Sequence, residues 1–259
     1  MGNLIITNAF ILPVVSNVTV PNLASGYAVS DLFCYGSLER RIQTTGAAVN
    51  TPLLTIDFGA AVSIAAVFLN DCNFSKISIL GCSDGLFAGG FSAAFDIGMD
   101  PVVGRRKLFA ATPGFSYRHF RLFLPSTAAV TDGSSYFRIS SLVILSSAAP
   151  LSVNMDYDFE RGAGTPFYTT EFGYGGDERM SLGENLKYAC ACQFGARSLL
   201  AEEELWTLNR MSISSQMVFY ENMGDPSRAY IVIRDDSYSG TVVQNNRVTG
   251  KTIRFKEQI

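Results

Sequence analysis

Residues 53–69 read LLTIDFGAAVSIAAVFL, two short apolar runs on either side of the turn signal Phe58-Gly59-Ala60-Ala61. Val62, Ile64, Val67 and Phe68 give the second run the β-branched and aromatic content of a strand. The stretch is therefore expected to form a hairpin or a corner between sheets, not a helix. Further strand-like runs surround it: Lys76–Gly81, Lys107–Ala110, His119–Leu124 and Tyr136–Leu145. The dipeptides Asp84-Gly85, Gly89-Gly90, Pro113-Gly114 and Asp132-Gly133 punctuate them. With no helix-length pattern between these runs, residues 1–149 are expected to form an all-β antiparallel sandwich.

Ala148-Ala149-Pro150 closes this unit, and Gly162 to Gly176 reads as a glycine-rich, aromatic loop or hairpin that packs on something. Leu186–Phe194 and Met217–Glu221 read as strands flanking one expected helix, Leu199–Arg210. Ser198 can cap its N-terminus, and Glu202, Glu203 and Glu204 occupy the first turn, where the helix dipole favours negative charge. Leu205, Trp206 and Leu208 would dock it on a sheet. Ala229–Arg234, Thr241–Gln244 and Thr252–Lys256 complete a meander. Residues 150–259 are thus expected to form a small antiparallel sheet with one helix, about 199–210, serving assembly or docking.

Composition narrows the function. Of 259 residues, 47% are hydrophobic and only 17% charged, against about 25% in ordinary soluble domains, so much of the surface is neutral or covered by partners. Lys plus Arg number 20 and Asp plus Glu 23, a net charge of −3. That gives no footprint for a polyanion, and nucleic-acid binding is not expected. Residues 1–150 hold 9 basic and 8 acidic side chains and residues 151–259 hold 11 and 15, so the halves carry +1 and −4 and read as separate units. The first 30 residues carry no charged side chain. They also lack a basic leader, and Asn3, Asn8, Pro13, Asn17 and Pro21 interrupt every apolar run, so no signal segment is expected. The uncharged stretch Ile139 to Met155 contains six serines or prolines and falls short of the roughly 20 apolar residues that a spanning helix needs. No membrane span is expected.

Five cysteines, Cys34, Cys72, Cys82, Cys190 and Cys192, point by their odd number to a reducing compartment. Cys190 and Cys192 would share one strand face. With no second cysteine pair, they read as buried apolar thiols rather than zinc or redox ligands. His119 is the single histidine, which excludes schemes needing two imidazoles. It reads as a strand residue between Arg118 and Arg121, with no G-x-S-x-G serine to serve. Asp156, Asp158 and Glu160 alternate as a carboxylate pair might, but an acidic edge strand beside a domain junction is the favoured reading. Arg105-Arg106-Lys107 reads as a turn or a contact to an acidic neighbour. The expectation is a non-enzyme with no cofactor and no metal site.

A familiar order of motifs runs through the first half. Asn22-Leu-Ala-Ser-Gly-Tyr-Ala, Leu53-Leu-Thr-Ile-Asp57-Phe-Gly59, Ile77-Ser-Ile-Leu-Gly-Cys-Ser83-Asp84-Gly85, Tyr117-Arg118-His-Phe-Arg121-Leu and Tyr136-Phe-Arg138-Ile-Ser-Ser-Leu-Val-Ile144 follow one another. The series resembles the discoidin or coagulation-factor C-type jelly roll, galactose-binding-like in fold, over about residues 3 to 147. The resemblance implies a mainly β chain, an N-terminal jelly-roll β-sandwich followed by the smaller antiparallel β domain with one helix. It also implies contacts by loops at one end of the sandwich. The loop between Gly26 and Thr51 carries Tyr27, Tyr35, Arg40 and Arg41, and rings beside guanidinium groups suit sugar hydroxyls. An exposed arginine pair touching a neighbouring subunit is the other reading of that loop, and the favoured one. Related jelly rolls often hold calcium, but no dense acidic cluster is present here and the site is not carried over.

The second half resembles, at the level of pattern, a domain of tail-tip or baseplate proteins of tailed bacteriophages. The likeness lies in Leu186–Phe194, Ala201–Asn209, Met217–Tyr220 leading to Asn222–Pro226, Tyr230–Ile233 and Thr252–Glu257. It implies a virion structural subunit, assembled in the host cytoplasm, whose partners are copies of itself in a ring or other homo-oligomer and other tail proteins. The alternative is a carbohydrate-binding module for a bacterial surface glycan.

Overall fold

The computed structural model describes residues 4–35, 39–152, 160–164, 167–172, 176–181, 187–194, 203–204, 207–208, 215–221, 224–234, 242–243, 247–248 and 251–258. The protein is mainly β, and its strands pair antiparallel. It divides into two compact units: residues 1–100, 105–150 and 217–230 form the first, and 101–104, 151–216 and 231–259 the second. The change of unit at residues 150 and 151 lies beside the expected junction, and Met217–Tyr230 returns to the first unit.

Two long strands organise the first unit, β4 (Thr51–Cys72) and β8 (Arg106–Leu124). With β2 (Val18–Thr19), β3 (Ile42–Gln43), β5 (Lys76–Cys82), β6 (Phe91–Asp96), β7 (Gly98–Met99) and β9 (Arg138–Leu145), they give a sheet of order β3-β9-β4-β8-β5-β6, with β2 on β4 and β7 on β8, while β1 (Ile5–Thr7) lies outside this sheet. The hairpin considered for residues 53–69 does not form. β4 runs straight through the turn signal, and its pairing with β8 shifts register between Asp57 and Val62. Pro113-Gly114, expected as a turn, likewise lies within β8, opposite a second shift between Ile64 and Ala66. Both signals mark bulges, because each strand has an uninterrupted partner holding it extended on either side. At the first, Gly59 takes φ 77° while its N–H donates to Asp57 Oδ1 at 2.8 Å. At the second, Thr112 Oγ1 donates to the Ile64 carbonyl at 2.8 Å.

From Ala66 to Asn70 every side chain of β4 is buried. Val67 and Leu69 face one apolar core with Ile56, Leu108, Leu122, Ile139, Leu142 and Ile144. The alternate residues Phe68 and Asn70 share the opposite face with their register partners Phe109 and Lys107 on β8, and Phe68 also pairs Val143 on β9. The returning segment accounts for this second buried face. Its strand β14 (Met217–Tyr220) pairs with β1, Tyr220 stacks on Phe109 at 4.3 Å, and the Phe109 N–H donates to the Pro226 carbonyl at 2.7 Å. Lys107 lies 3.3 Å from the Asp100 carboxylate and 3.9 Å from the ring centroid of Tyr230, and Lys107 and Asp100 are fully buried.

In the second unit, β13 (Lys187–Phe194) pairs on one side with β10 (Glu160–Gly164) and on the other with β18 (Lys251–Glu257). Residues Val232 to Arg234 of β15 (Ala229–Arg234) extend the sheet beyond β18. β11 (Phe167–Phe172) lies within the stretch Gly162 to Gly176 expected as a loop or hairpin and pairs β12 (Gly176–Ser181), which begins at the end of that stretch and runs beyond it, and β16 (Val242–Val243) pairs β17 (Arg247–Val248). Cys192 is buried as expected, paired in register with Ile253. Of the expected helix Leu199–Arg210, Glu203, Glu204, Thr207 and Leu208 are described and helical; Ser198, Trp206 and the rest lie outside the described residues. So do Asp156 and Asp158. Among the described residues no helix is long and apolar enough to cross a membrane.

Candidate functional site

The four residues singled out on the loop before β4 do not converge. Tyr35 is 6% exposed, its ring meets Phe10 edge to face at 5.5 Å, and its hydroxyl donates to the Leu142 carbonyl at 3.2 Å. Burial, with the Cys34 thiol adding to it, pushes its ionisation well above the ordinary phenol range. Tyr35 is therefore a core anchor, with no face left for a sugar ring to stack upon. Tyr27 is half-buried and donates from its hydroxyl to Gln43 Oε1 at 2.8 Å. Arg40 is exposed, its Nη1 donating to Cys34 Sγ at 3.3 Å, and Arg41 is half-buried with Nε out of reach of solvent and of any acceptor among the described residues. No hydrogen bond or ring contact joins either tyrosine to either arginine among the described residues.

A denser constellation lies where β4, β5 and β8 run side by side. The register sets Asp57 opposite His119 and His119 opposite Cys82, and in the next outward row Thr55 opposite Arg121 and Arg121 opposite Leu80. Arg118 clamps Asp57 with two hydrogen bonds, Nε to Oδ1 and Nη2 to Oδ2, each 2.7 Å. That clamp, with the Gly59 N–H behind it, holds the Asp57 carboxyl well below the ordinary range. His119 Nδ1 is 3.9 Å from the same carboxylate.

The connection from β5 to β6 folds over this row. Gly85 N–H donates to Cys82 Sγ at 3.2 Å and Leu86 N–H to Asp84 Oδ1 at 3.0 Å. Gly85 has φ 78° and lies against the His119 ring, where a side chain would be in ordinary contact. Phe87 holds φ 56°, a left-handed conformation unusual for an aromatic residue, and places its ring 3.7 Å from the Arg121 guanidinium and edge to face with His119 at 6.4 Å. Sequence reading placed His119 on a strand between its arginines but did not join it to Asp57 and Phe87. The alternation of Tyr117, His119 and Arg121 opposite Thr55 and Asp57 was the available signal.

A shallow groove of about 550 Å³ opens beside the second bulge, lined among others by Ser63, Thr112, Pro113, Ser116, Ser146 and Ser147. Its hydroxyls suit neutral polar contacts. Chemically, the Asp57 carboxylate is engaged by Arg118, and Cys82 accepts a backbone hydrogen bond. Among the described residues no group of three or more His, Cys, Asp or Glu side chains is placed to hold a metal ion. No protein-family model matches the chain, and a search of curated proteins finds no significant match.

Proposed function

We propose that the chain is a non-enzymatic structural subunit of a tailed-bacteriophage particle, in the tail tip or baseplate. In this reading residues 1–149 are a jelly-roll sandwich and residues 150–259 an assembly domain with one helix. Copies of the chain form a ring or other homo-oligomer with further tail proteins, assembled in the host cytoplasm and retained in the virion. One observation carries the assembly reading. Leu12 and Val14 are each 65% exposed and Val15 43%, three large apolar side chains within four residues, in a segment with no charged side chain among its first 30 residues. Concentrated apolar surface of this kind is characteristic of a face that a partner covers. The phage setting is supported by the order of strand and helix patterns in the second half.

A mass-spectrometric inventory of purified particles, paired with light scattering of the isolated chain, tests the proposal. The polypeptide is expected in the particles and above monomer mass in solution, with Leu12→Asp and Val14→Asp weakening assembly. A chain that stays monomeric at high concentration and is missing from particles overturns it.

A further inference from the structure

We propose that the outward face of β4, β5 and β8 around Arg121 is a binding site for a carboxylated sugar, a uronic acid within a glycan. This goes beyond the assembly reading and does not depend on it. The site is also distinct from the loop that carries Tyr27, Arg40 and Arg41.

Arg121 is the centre. Its Nε donates to Thr55 Oγ1 at 3.2 Å, and Phe87 packs on its guanidinium plane at 3.7 Å, so the fork is fixed in place. Neither Nη group has a protein acceptor among the described residues, and neither is among the buried polar atoms. The contrast with other cations of the first unit is informative: Lys76, Lys107, Arg118, Arg138 and Arg228 each have a carboxylate within ion-pair distance, and Arg121 has none among the described residues. A planar, immobilised guanidinium with two open donors matches the two oxygens of a carboxylate.

The surroundings specify what carries that carboxylate. In the same outward row the register places Thr19, Thr55, Leu80 and Ser92, and Ser78 and Phe123 pair in the row beside it. Hydroxyl side chains around a cation, beside half-buried apolar groups, suit a polyhydroxylated ring with one polar and one apolar face. Leu86, 76% exposed, rims the site on the strained connection that holds Phe87. An extended acidic peptide fits less well, because Arg121 lies on a central strand bonded on both sides and offers no free sheet edge to pair with.

The test uses the full chain, titrated by NMR with an oligosaccharide of glucuronic acid and, in parallel, with its neutral glucose counterpart and an oligo-glutamate peptide. The glucuronic oligomer is expected to shift resonances around Arg121, and the glucose oligomer is expected to bind at least about tenfold more weakly, the effect of losing a charged hydrogen-bond partner. Arg121→Gln should reduce uronate binding by a similar factor, and Arg121→Lys should restore only part of it. Leu86→Asp, a surface change that leaves the strands intact, should also weaken binding, while Arg40→Ala should leave it unchanged. Equal binding of acidic and neutral oligomers, uronate binding unaffected by Arg121→Gln in a folded variant, or preference for the peptide would each overturn the proposal.

Discussion

The ammonium of Lys107 lies 3.3 Å from the carboxylate of Asp100, with neither side chain reaching solvent, and caps the Tyr230 ring at 3.9 Å. Removing one charge takes this ion-pair partner from the other in a medium that solvates it poorly. Lys107→Met is expected to cost about 3–5 kcal/mol of unfolding free energy. The double variant with Asp100→Leu should recover much of that loss. Chemical denaturation of the two single variants and the double settles it: additive losses would show that the pair is not coupled.

Acid should weaken the first unit in a definite direction. Asp57 is held below its ordinary range by hydrogen bonds from Arg118 and then Gly59. Asp132 and Asp225 are held down as well: burial opposes their charge, but hydrogen bonds from Ser134 and Asn73 at the first, and from Ser227 and Arg228 at the second, outweigh it. A carboxylate depressed in the folded state contributes stability that is complete above its unfolded value of about 3.9 and is lost as pH falls through the folded value. Melting temperature should therefore hold near neutrality and fall below about pH 4. Asp57→Asn should make that acid limb shallower. An unchanged limb would sink the assignment.

Asn73 binds one loop through its whole amide. Nδ2 donates to Ser134 Oγ and the Tyr136 carbonyl at 2.8 Å and to Asp132 Oδ1 at 3.3 Å, while Oδ1 accepts from the Arg138 N–H at 2.7 Å. Asn73→Ala is expected to cost about 1–3 kcal/mol. It should also open a protease site between residues 131 and 136, read by limited digestion and mass spectrometry. Resistance equal to the wild type would argue against this role.

Two glycines of the β5–β6 pair have no room for a side chain. A methyl group on Gly81 would enter the Phe115 ring, and one on Gly90, which has φ 110°, would collide with the Gly81 carbonyl. Gly81→Ala should cost about 1–3 kcal/mol, as overpacking does. Gly90→Ala should cost more, since backbone must move and the conformation is also strained. Thermal melts that rank them in the reverse order would contradict the packing.

Strands whose faces fill one core were legible in the sequence: Lys76–Gly81 and the run ending at Leu145 carry dense β-branched and apolar side chains, and both form. Phe91–Asp96 is a strand that the reading passed over, because FSAAFD alternates half-buried with exposed residues at a sheet edge and adds little apolar signal. Gly59 and Pro113-Gly114 announced a break in extension, but whether a break becomes a turn or a bulge depends on the partner strand, far away in sequence. The same distance hid the site. Nothing local shows that Phe10 covers Tyr35, or that Phe87 turns back over Arg121 through a left-handed backbone.

The return of residues 217–230 to the first unit bears on how the chain is made. A ribosome delivers residue 145 well before residue 220, so the face bearing Phe68, Phe109 and Val143 emerges without the Tyr220 ring that will lie on Phe109. The nascent sheet must hold that greasy surface uncovered while some seventy further residues are translated. Maturation of the first unit is thus coupled to synthesis as far as residue 230, and products terminated between residues 150 and 217 should be the species that chaperones retain.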